Sequence, residues 1–422
     1  MPETPAAFAD GTRVLHIGPH KTGTTGLQRA FWGSRDLLTE HGVLWAGGTA
    51  HPMAAAIAGA TGGQIATARP GSGEHRWLDL LAELDASTAR VSVLSSEFFS
   101  DAPAERIPQI IGQLGAERTQ VIVTLRPLTR ILASQWQQYM QNQPQVRYGD
   151  NPSYEGWLDI VLNDPEQTAV TPTFWRRHRH DRLIERWVEQ VGADRLSVVV
   201  VDDAHPRGVL ASFERLLGLP DGLVREPEAT ANRSLTLPEV AMVRGFNAGW
   251  IERGWSDADY TRFVRFTSVR HLMERTPVPD EPKIRTPQWA VDRANEIAAD
   301  MVAAIGGLGV RVDGDLTLLR TAVPRGVGDN PAAVAVPADA VARFTAGLVK
   351  VVAGTPARGA VDSRRLGPIE TAVREDKIRR GVRDEPADGP VRPAERPVAD
   401  LGRAALLRLA LGRVRRRLLG PR

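Results

Sequence analysis

The sequence predicts an α/β protein of three layers, a parallel central sheet covered by helices on both faces. Short apolar runs rich in β-branched residues recur at Val14–Ile17, Val43–Trp45, Val91–Leu94, Val121–Leu125 and Leu196–Val201. Stretches of helical period separate most of them, the alternation that builds βαβ units. The runs are also close to continuously apolar, as strands covered on both faces are.

The first run, Val14-Leu15-His16-Ile17, breaks into Gly18-Pro19-His20-Lys21-Thr22-Gly23-Thr24-Thr25 just before a helical pattern begins. A strand that turns sharply into a helix points backbone N–H groups and the positive end of the helix dipole at one spot, where an anion binds. Lys21 adds a mobile cation, and Thr24 and Thr25 add hydroxyl donors. A nucleoside-triphosphate loop reads G-x-x-x-x-G-K-[ST], with Lys directly after the second Gly. Here Gly18 and Gly23 have that spacing, but Thr24 follows Gly23 and the Lys stands two places before it. That order argues against an ordinary ATPase or GTPase.

The third run ends in Ser95-Ser96-Glu97, followed by Phe98 and Phe99. A carboxylate buried beside this apolar pair would have a raised pKa, suited to a general base. Read without chemistry, Glu97 simply starts the next helix. The fourth run leads into Arg126-Pro127-Leu128-Thr129-Arg130, with Ser134 about two helical turns further on. An Arg fork suits a phosphate dianion, and Pro127 fits a first helical turn, where its missing N–H costs nothing. The fifth run, with Asp202 and Asp203 after it, looks superficially like a Walker B strand. Without the matching Gly-Lys-Thr loop it reads as an ordinary buried strand. Between the fourth and fifth runs, Arg176-Arg177-His178-Arg179-His180 reads as a solvated basic face, or as a patch that attracts an anionic acceptor.

Phe213 through Leu219 reads as a helix stopped by Gly218 and Pro220, which closes a core over residues 10–224. Residues 225–320 read as mainly helical, with 238–250, 257–273 and 287–305 as the best candidates. Thr236 and Glu239 form a capping-box pattern at the first of these. Residues 321–422 turn rich in Pro, Gly, Ala, Asp and Arg without sustained periodicity, a composition that cannot bury enough surface to fold alone. At 400–419 an apolar stripe at three- and four-residue spacing lies among arginines. It reads as a basic helix for an anionic membrane or a partner, or as a loosely structured tail.

The loop pattern P-x-K-[ST]-G-T-T resembles the 5′-phosphosulfate loop of sulfotransferases that use 3′-phosphoadenosine 5′-phosphosulfate (PAPS). Arg126 at a strand end with Ser134 on the following helix resembles that family's 3′-phosphate motif. The resemblance covers about residues 13–224. It implies a P-loop-like fold with PAPS held by His20, Lys21, Thr22, Gly23, Thr24, Thr25, Arg126 and Ser134. A late loop that returns to clamp the 3′-phosphate would add Arg233; otherwise Arg233 is an exposed residue near a helix cap. By the same resemblance, Lys21 assists the leaving phosphate and a Glu or His takes the acceptor's proton. Glu97 is the first candidate, His51 the second and His20 the third. One departure is Gly26, where cytosolic members often carry a Trp that stacks on adenine. The acceptor implied is a hydroxyl of a carbohydrate, glycolipid or small metabolite. A nucleotide-dependent kinase, which would need ATP and Mg²⁺, and a non-catalytic nucleotide-fold binding protein are the alternatives.

Composition sets the remaining bounds. The 422 residues, 42% of them apolar, can build a sizeable core. No run reaches the roughly 18 to 20 apolar residues of a membrane span, and Met1-Pro2-Glu3-Thr4-Pro5 is not the start of a signal peptide. With no Cys there are neither disulfides nor thiolate metal sites, which points to a reducing cytoplasm. The nine His form no H-E-x-x-H or comparable ligand pattern, so no metal is expected. Residues 401–422 hold seven Arg and no acid, so without them the formal charge of +3 becomes −4. A mildly acidic body argues against nucleic acid as a partner.

Overall fold

A computed structural model describes residues 7–62, 72–142, 151–164, 173–225 and 233–354. Six parallel strands, β1 (Thr12–His16), β2 (Val43–Trp45), β3 (Val91–Ser95), β4 (Thr119–Leu125), β5 (Leu196–Val200) and β6 (Arg311–Asp313), form one sheet in the order β2-β3-β1-β4-β5-β6. The three-layer α/β class expected from the sequence is therefore the observed one.

Alternation along the strands feeds two apolar layers. On one face Leu15, Leu94, Val121, Val123, Leu196 and Val198 pack with Trp77, Leu84, Ile110, Leu183 and Trp187. On the other, Val14, Val91, Val93, Ile122 and Val199 pack with Leu27, Phe31, Leu210 and Phe213. The β-branched strand residues thus pack against helices from above or below, which is why the runs are mostly apolar, with His16, Ser92, Thr124 and Ser197 as their buried polar positions. The chain leaves β1 toward β2 on one side and leaves β4 toward β5 on the other. The crevice between their carboxyl ends is the point where connections diverge, where sheets of this kind bind ligands.

The division of the chain differs from the expected boundary at residue 224. One compact unit comprises residues 1–139, 145–234 and 283–333, and a second comprises 140–144, 235–282 and 334–422. The first unit takes in β6 and the helix Gln288–Gly307 because both complete the sheet layers. The segment Arg311-Val312-Asp313 carries no apolar run, so its pairing with β5 was not legible locally.

Within the second unit the helix Leu237–Glu252 starts at the expected capping box, with both reciprocal bonds between Thr236 and Glu239 present. The stretch expected as one helix over 257–273 contains a π-helical segment, Thr261–Ser268. Arg275 is the unit's buried ionic centre, donating to Glu239 at 3.0 Å, Glu281 at 2.6 and 2.8 Å and Asp339 at 2.6 Å. Ala338–Gly354 is a helix, whereas its composition suggested no folded structure. Phe344 and Ala340 are buried there, and tertiary packing rather than composition decides the outcome. The basic helix expected at 400–419 lies outside the described residues. No helix among the described residues is long and apolar enough to cross a membrane.

The first unit also buries four histidines, His16, His20, His178 and His180. Burial lowers the pKa of His16 to about 3 and that of His180 to about 4, against the ordinary 6.5, while Glu97 and Asp181 respectively oppose the shift. His178 is lowered well below its ordinary value as well, by burial and then by His180 and Arg177 beside it. Because the unfolded chain takes up these protons first, stability present above pH 6.5 is lost as pH falls toward 4. We expect a lower urea midpoint at pH 4.5 than at pH 7, with a shallower dependence in His180→Leu. A midpoint independent of pH across this window would contradict neutral buried histidines.

Candidate active site

The loop after β1 is shaped by what lies on either side of it. Ile17 donates its N–H to Ile122 O, and Gly18 O accepts from the Thr124 N–H at 2.8 Å and from Thr124 Oγ1 at 3.1 Å, so the chain stays beside β4 past the end of β1. Gly18 has φ +81°, and a Cβ there would stand 2.7 Å from Glu97 Cβ and 2.8 Å from its Cα. Only glycine allows this loop to touch the chain leaving β3.

Beyond it Lys21 (φ 68°) and Gly23 (φ 86°) adopt left-handed conformations, and the helix Thr24–Gly33 starts at Gly23 without a capping side chain. That start leaves first-turn N–H groups uncapped by the chain itself, as an anion cradle requires. The Thr22 hydroxyl is not part of such a cradle. It is buried, within 2.7 Å of both Pro19 O and Thr124 Oγ1, where it holds the loop to β4. Thr24 is buried and Thr25 exposed at the start of the helix.

Glu97 opens a short 3₁₀ turn, Glu97–Asp101, behind a Ser96 cap. Its Oε2 accepts from Gln28 Nε2 at 3.2 Å and lies 3.5 Å from His51 Nε2. His51 also meets Ser96 Oγ at 2.8 Å and stacks on Phe98 at 5.9 Å between ring centroids. His20 meets the same Phe98 ring edge-on at 5.0 Å, and its Nε2 is 3.9 Å from Asp101 Oδ2. The three candidate bases therefore gather around one phenyl ring.

The expectation of a raised Glu97 pKa is corrected by these neighbours. Burial favours the neutral acid, but His20, His51, the residue's own backbone N–H and the Gln28 amide outweigh it, and the carboxyl is held below its ordinary value. Burial pulls the Lys21 ammonium from 10.5 to about 8; Glu97 opposes the shift, while Arg177 and Arg126 add to it. For His20 burial also lowers the pKa, and Arg177 adds to this against the pull of Asp101.

Arg126 follows β4 directly. Its Nη2 donates to both Asp203 oxygens at 2.7 and 2.8 Å, and its Nη1 reaches Lys21 O at 3.4 Å. Arg130 stands 3.5 Å from the same carboxylate. Ser134 is half-buried on the helix Leu128–Asn142 and makes no hydrogen bond to Arg126. Arg233 donates to Ser234 O at 3.2 Å, next to it in the chain.

Sequence reasoning missed Gln28, Asp101, Arg177 and Asp203. The basic stretch at 176–180 is not a solvated face. Arg177, His178 and His180 are buried, and Arg177 grips Asp101 through Nε and Nη2 at 2.5 Å each. Burial would raise the pKa of Asp101, but Arg177 and His20 hold it far below the usual carboxylate range. The helical period of His180–Val191, with its apolar positions turned to the sheet, was the one signal that this stretch belongs to the core. Among the described residues no group of three or more His, Asp or Glu could hold a metal ion.

A sulfotransferase from Alicyclobacillus acidocaldarius, known from a crystal structure, is similar to this chain at 16% sequence identity, with 57% of this chain and 93% of that one covered and a TM-score of 0.33. No protein-family model and no curated protein sequence matches the chain.

The Asp101–Arg177 pair supports the wall behind His20. Asp101→Ala removes the carboxylate that takes two hydrogen bonds from the buried Arg177 and should destabilise the protein by about 3–5 kcal/mol, read as a drop in the urea midpoint. A loss below about 1 kcal/mol, the range of exposed pairs, would show that the guanidinium finds water or another acceptor.

Proposed function

We propose that the chain is a PAPS-dependent sulfotransferase, moving a sulfuryl group to an acceptor hydroxyl of a carbohydrate, glycolipid or small metabolite. The observation that carries the reading is the convergence of Lys21, Glu97 and Arg126 on the carboxyl edge of three adjacent strands, β1, β3 and β4. A cation on the phosphate loop, an ionised carboxylate across from it and a guanidinium on the far side of the crevice match what the reaction needs. The residues at hand also fit the cosubstrate. The uncapped helix start at Gly23 faces an anion well, and the Arg126 Nε is buried without a partner, donor capacity that a phosphate could use.

Sulfuryl transfer breaks the S–O bond to the 5′-phosphate and forms one to the acceptor oxygen, which gives up its proton. Lys21 donates to the phosphate oxygen on which charge builds. Glu97, kept ionised by Gln28 and the two histidines, accepts the proton, with His51 alongside to share it. The kinase alternative fits poorly, because Asp203, the acid at the end of the Walker-like run, faces Arg126 and Arg130 rather than an open position for Mg²⁺.

Calorimetric titration should give clear preference for adenosine 3′,5′-bisphosphate over 5′-AMP and over ATP with Mg²⁺; preference for ATP would return the kinase reading. Lys21→Ala should lower turnover by about 10²–10³-fold with an unchanged melting curve, and Glu97→Gln by about 10²-fold or more. A near-normal rate in Glu97→Gln would pass the base role to His51. Because Lys21 is protonated only below about pH 8, kcat/KM should fall above that pH as the ammonium is lost. A profile flat to about pH 10, near the ordinary lysine value, would remove Lys21 from the chemistry.

A further inference from the structure

The chain contains two arginine–carboxylate pairs at the site, and their geometries differ. Arg177 closes on Asp101 with two different nitrogens at 2.5 Å, both side chains nearly buried, at 8% and 13% exposure. Arg126 instead serves both oxygens of Asp203 with Nη2 alone, at 2.7 and 2.8 Å, with 20% and 25% of the side chains exposed. Its Nε has no partner although it is buried, and its Nη1 makes only the long contact to Lys21 O at 3.4 Å. Arg130 approaches the same carboxylate from one helical turn away, at 3.5 Å. A fork used through one nitrogen gives up the bidentate geometry that makes such pairs strong. Two cations around one partly solvated carboxylate also describe the chemistry of an anion site.

We propose that Asp203 is an internal stand-in for the nucleotide's 3′-phosphate, resting on the proposed cosubstrate. Its carboxylate neutralises Arg126 and Arg130 while no nucleotide is bound, and yields the guanidinium when a phosphate dianion arrives. Asp203 therefore sets how strongly the protein discriminates a 3′-phosphorylated nucleotide from one without that phosphate. The adjacent Asp202 provides an internal comparison. It carries the same charge but bonds His205 Nδ1 at 2.7 Å and the Ala204 N–H at 2.8 Å, away from both arginines.

The test is calorimetric titration of wild type, Asp203→Asn, Asp203→Ser and Asp202→Asn with adenosine 3′,5′-bisphosphate and with 5′-AMP, after thermal melts confirm folding. Removing a partly exposed competitor worth about 1 kcal/mol should tighten bisphosphate binding about fivefold in both Asp203 variants. Affinity for 5′-AMP should stay within about twofold, and Asp202→Asn should show no selective gain. Weaker bisphosphate binding in the Asp203 variants would mean that the carboxylate positions Arg126, and would overturn the proposal. So would unchanged binding, or an equal gain in Asp202→Asn, which would reduce the effect to net charge. Should wild type itself fail to prefer the bisphosphate, the cosubstrate reading falls first and this inference with it; preference in wild type without a gain in the variants overturns the inference alone.

Discussion

The site depends on one close approach, the backbone of Gly18 against Glu97. In a parallel sheet adjacent strands end about 4.8 Å apart, and a loop crossing the end of β1 must pass beside the chain leaving β3. With Gly18 in its left-handed conformation and no Cβ, that passage brings the loop within contact of the Glu97 backbone. The register then does the rest. His16 pairs with Ser95, the last residue of β3, across one edge of β1 and with Ile122 across the other, where β4 runs three residues further to Leu125 and flanks the loop. Lys21 and Glu97 come within electrostatic reach of each other because β1 and β3 end in step, at His16 and Ser95.

Beneath this edge lies a buried polar layer that fixes the loop and reaches Glu97 at its upper end. His16 joins Ser95 Oγ at 2.8 Å and Thr124 Oγ1 at 3.2 Å, Thr124 joins Thr22, and Gln28 links Ser95 to Glu97. Polar groups left unsatisfied in such a place would cost about 1–3 kcal/mol each, so the network has one low-energy arrangement and holds the loop to it. Neutral His16 is a consistent member, since burial keeps it uncharged and a neutral ring both donates and accepts. The same burial lowers the Lys21 pKa. The shift arises because charge is concentrated where water is scarce, and charge so placed acts more strongly on a nearby anion than it would in solvent.

Much of the fold was legible because buried parallel strands leave a local signature. All five apolar runs became strands, and the glycine and threonine loop falls between a strand and a helix, as an anion loop must. The residues that were missed share a physical reason: their roles are set by partners distant in sequence. Arg177 looks like part of a basic patch until Asp101 is brought to it, 76 positions away. The pKa of Glu97 could be guessed from Phe98 and Phe99, but its direction is decided by Gln28, His20 and His51, which no spacing rule places beside it. Thr22 reads as a ligand donor from its motif position, yet the cross-strand Thr124 claims its hydroxyl. β6 pairs through backbone at the sheet edge, where three residues without an apolar run suffice.

The electrostatics of the site divide between groups that are fixed and groups that are adjustable. Asp101 and Arg177 are closed on each other at short distance and nearly out of water, so removing either partner is costly for the charge that stays buried. Such a pair suits a wall, and it stands behind His20, with Phe98 between His20 and His51. At the β4 and β5 ends the charges are about a quarter exposed, two arginines share one carboxylate, and the Arg126 Nε is left without a partner. Groups so placed can exchange partners at small cost, because water and the screening of partly exposed charge lower the difference between one arrangement and the next. Under the proposed function, a rigid wall would stand beside the reacting groups and a compliant cluster where the far end of a nucleotide would rest, the distribution that suits an anion of high charge. Strain introduced near the transferred group slows the reaction, whereas adjustment remote from it only tunes affinity.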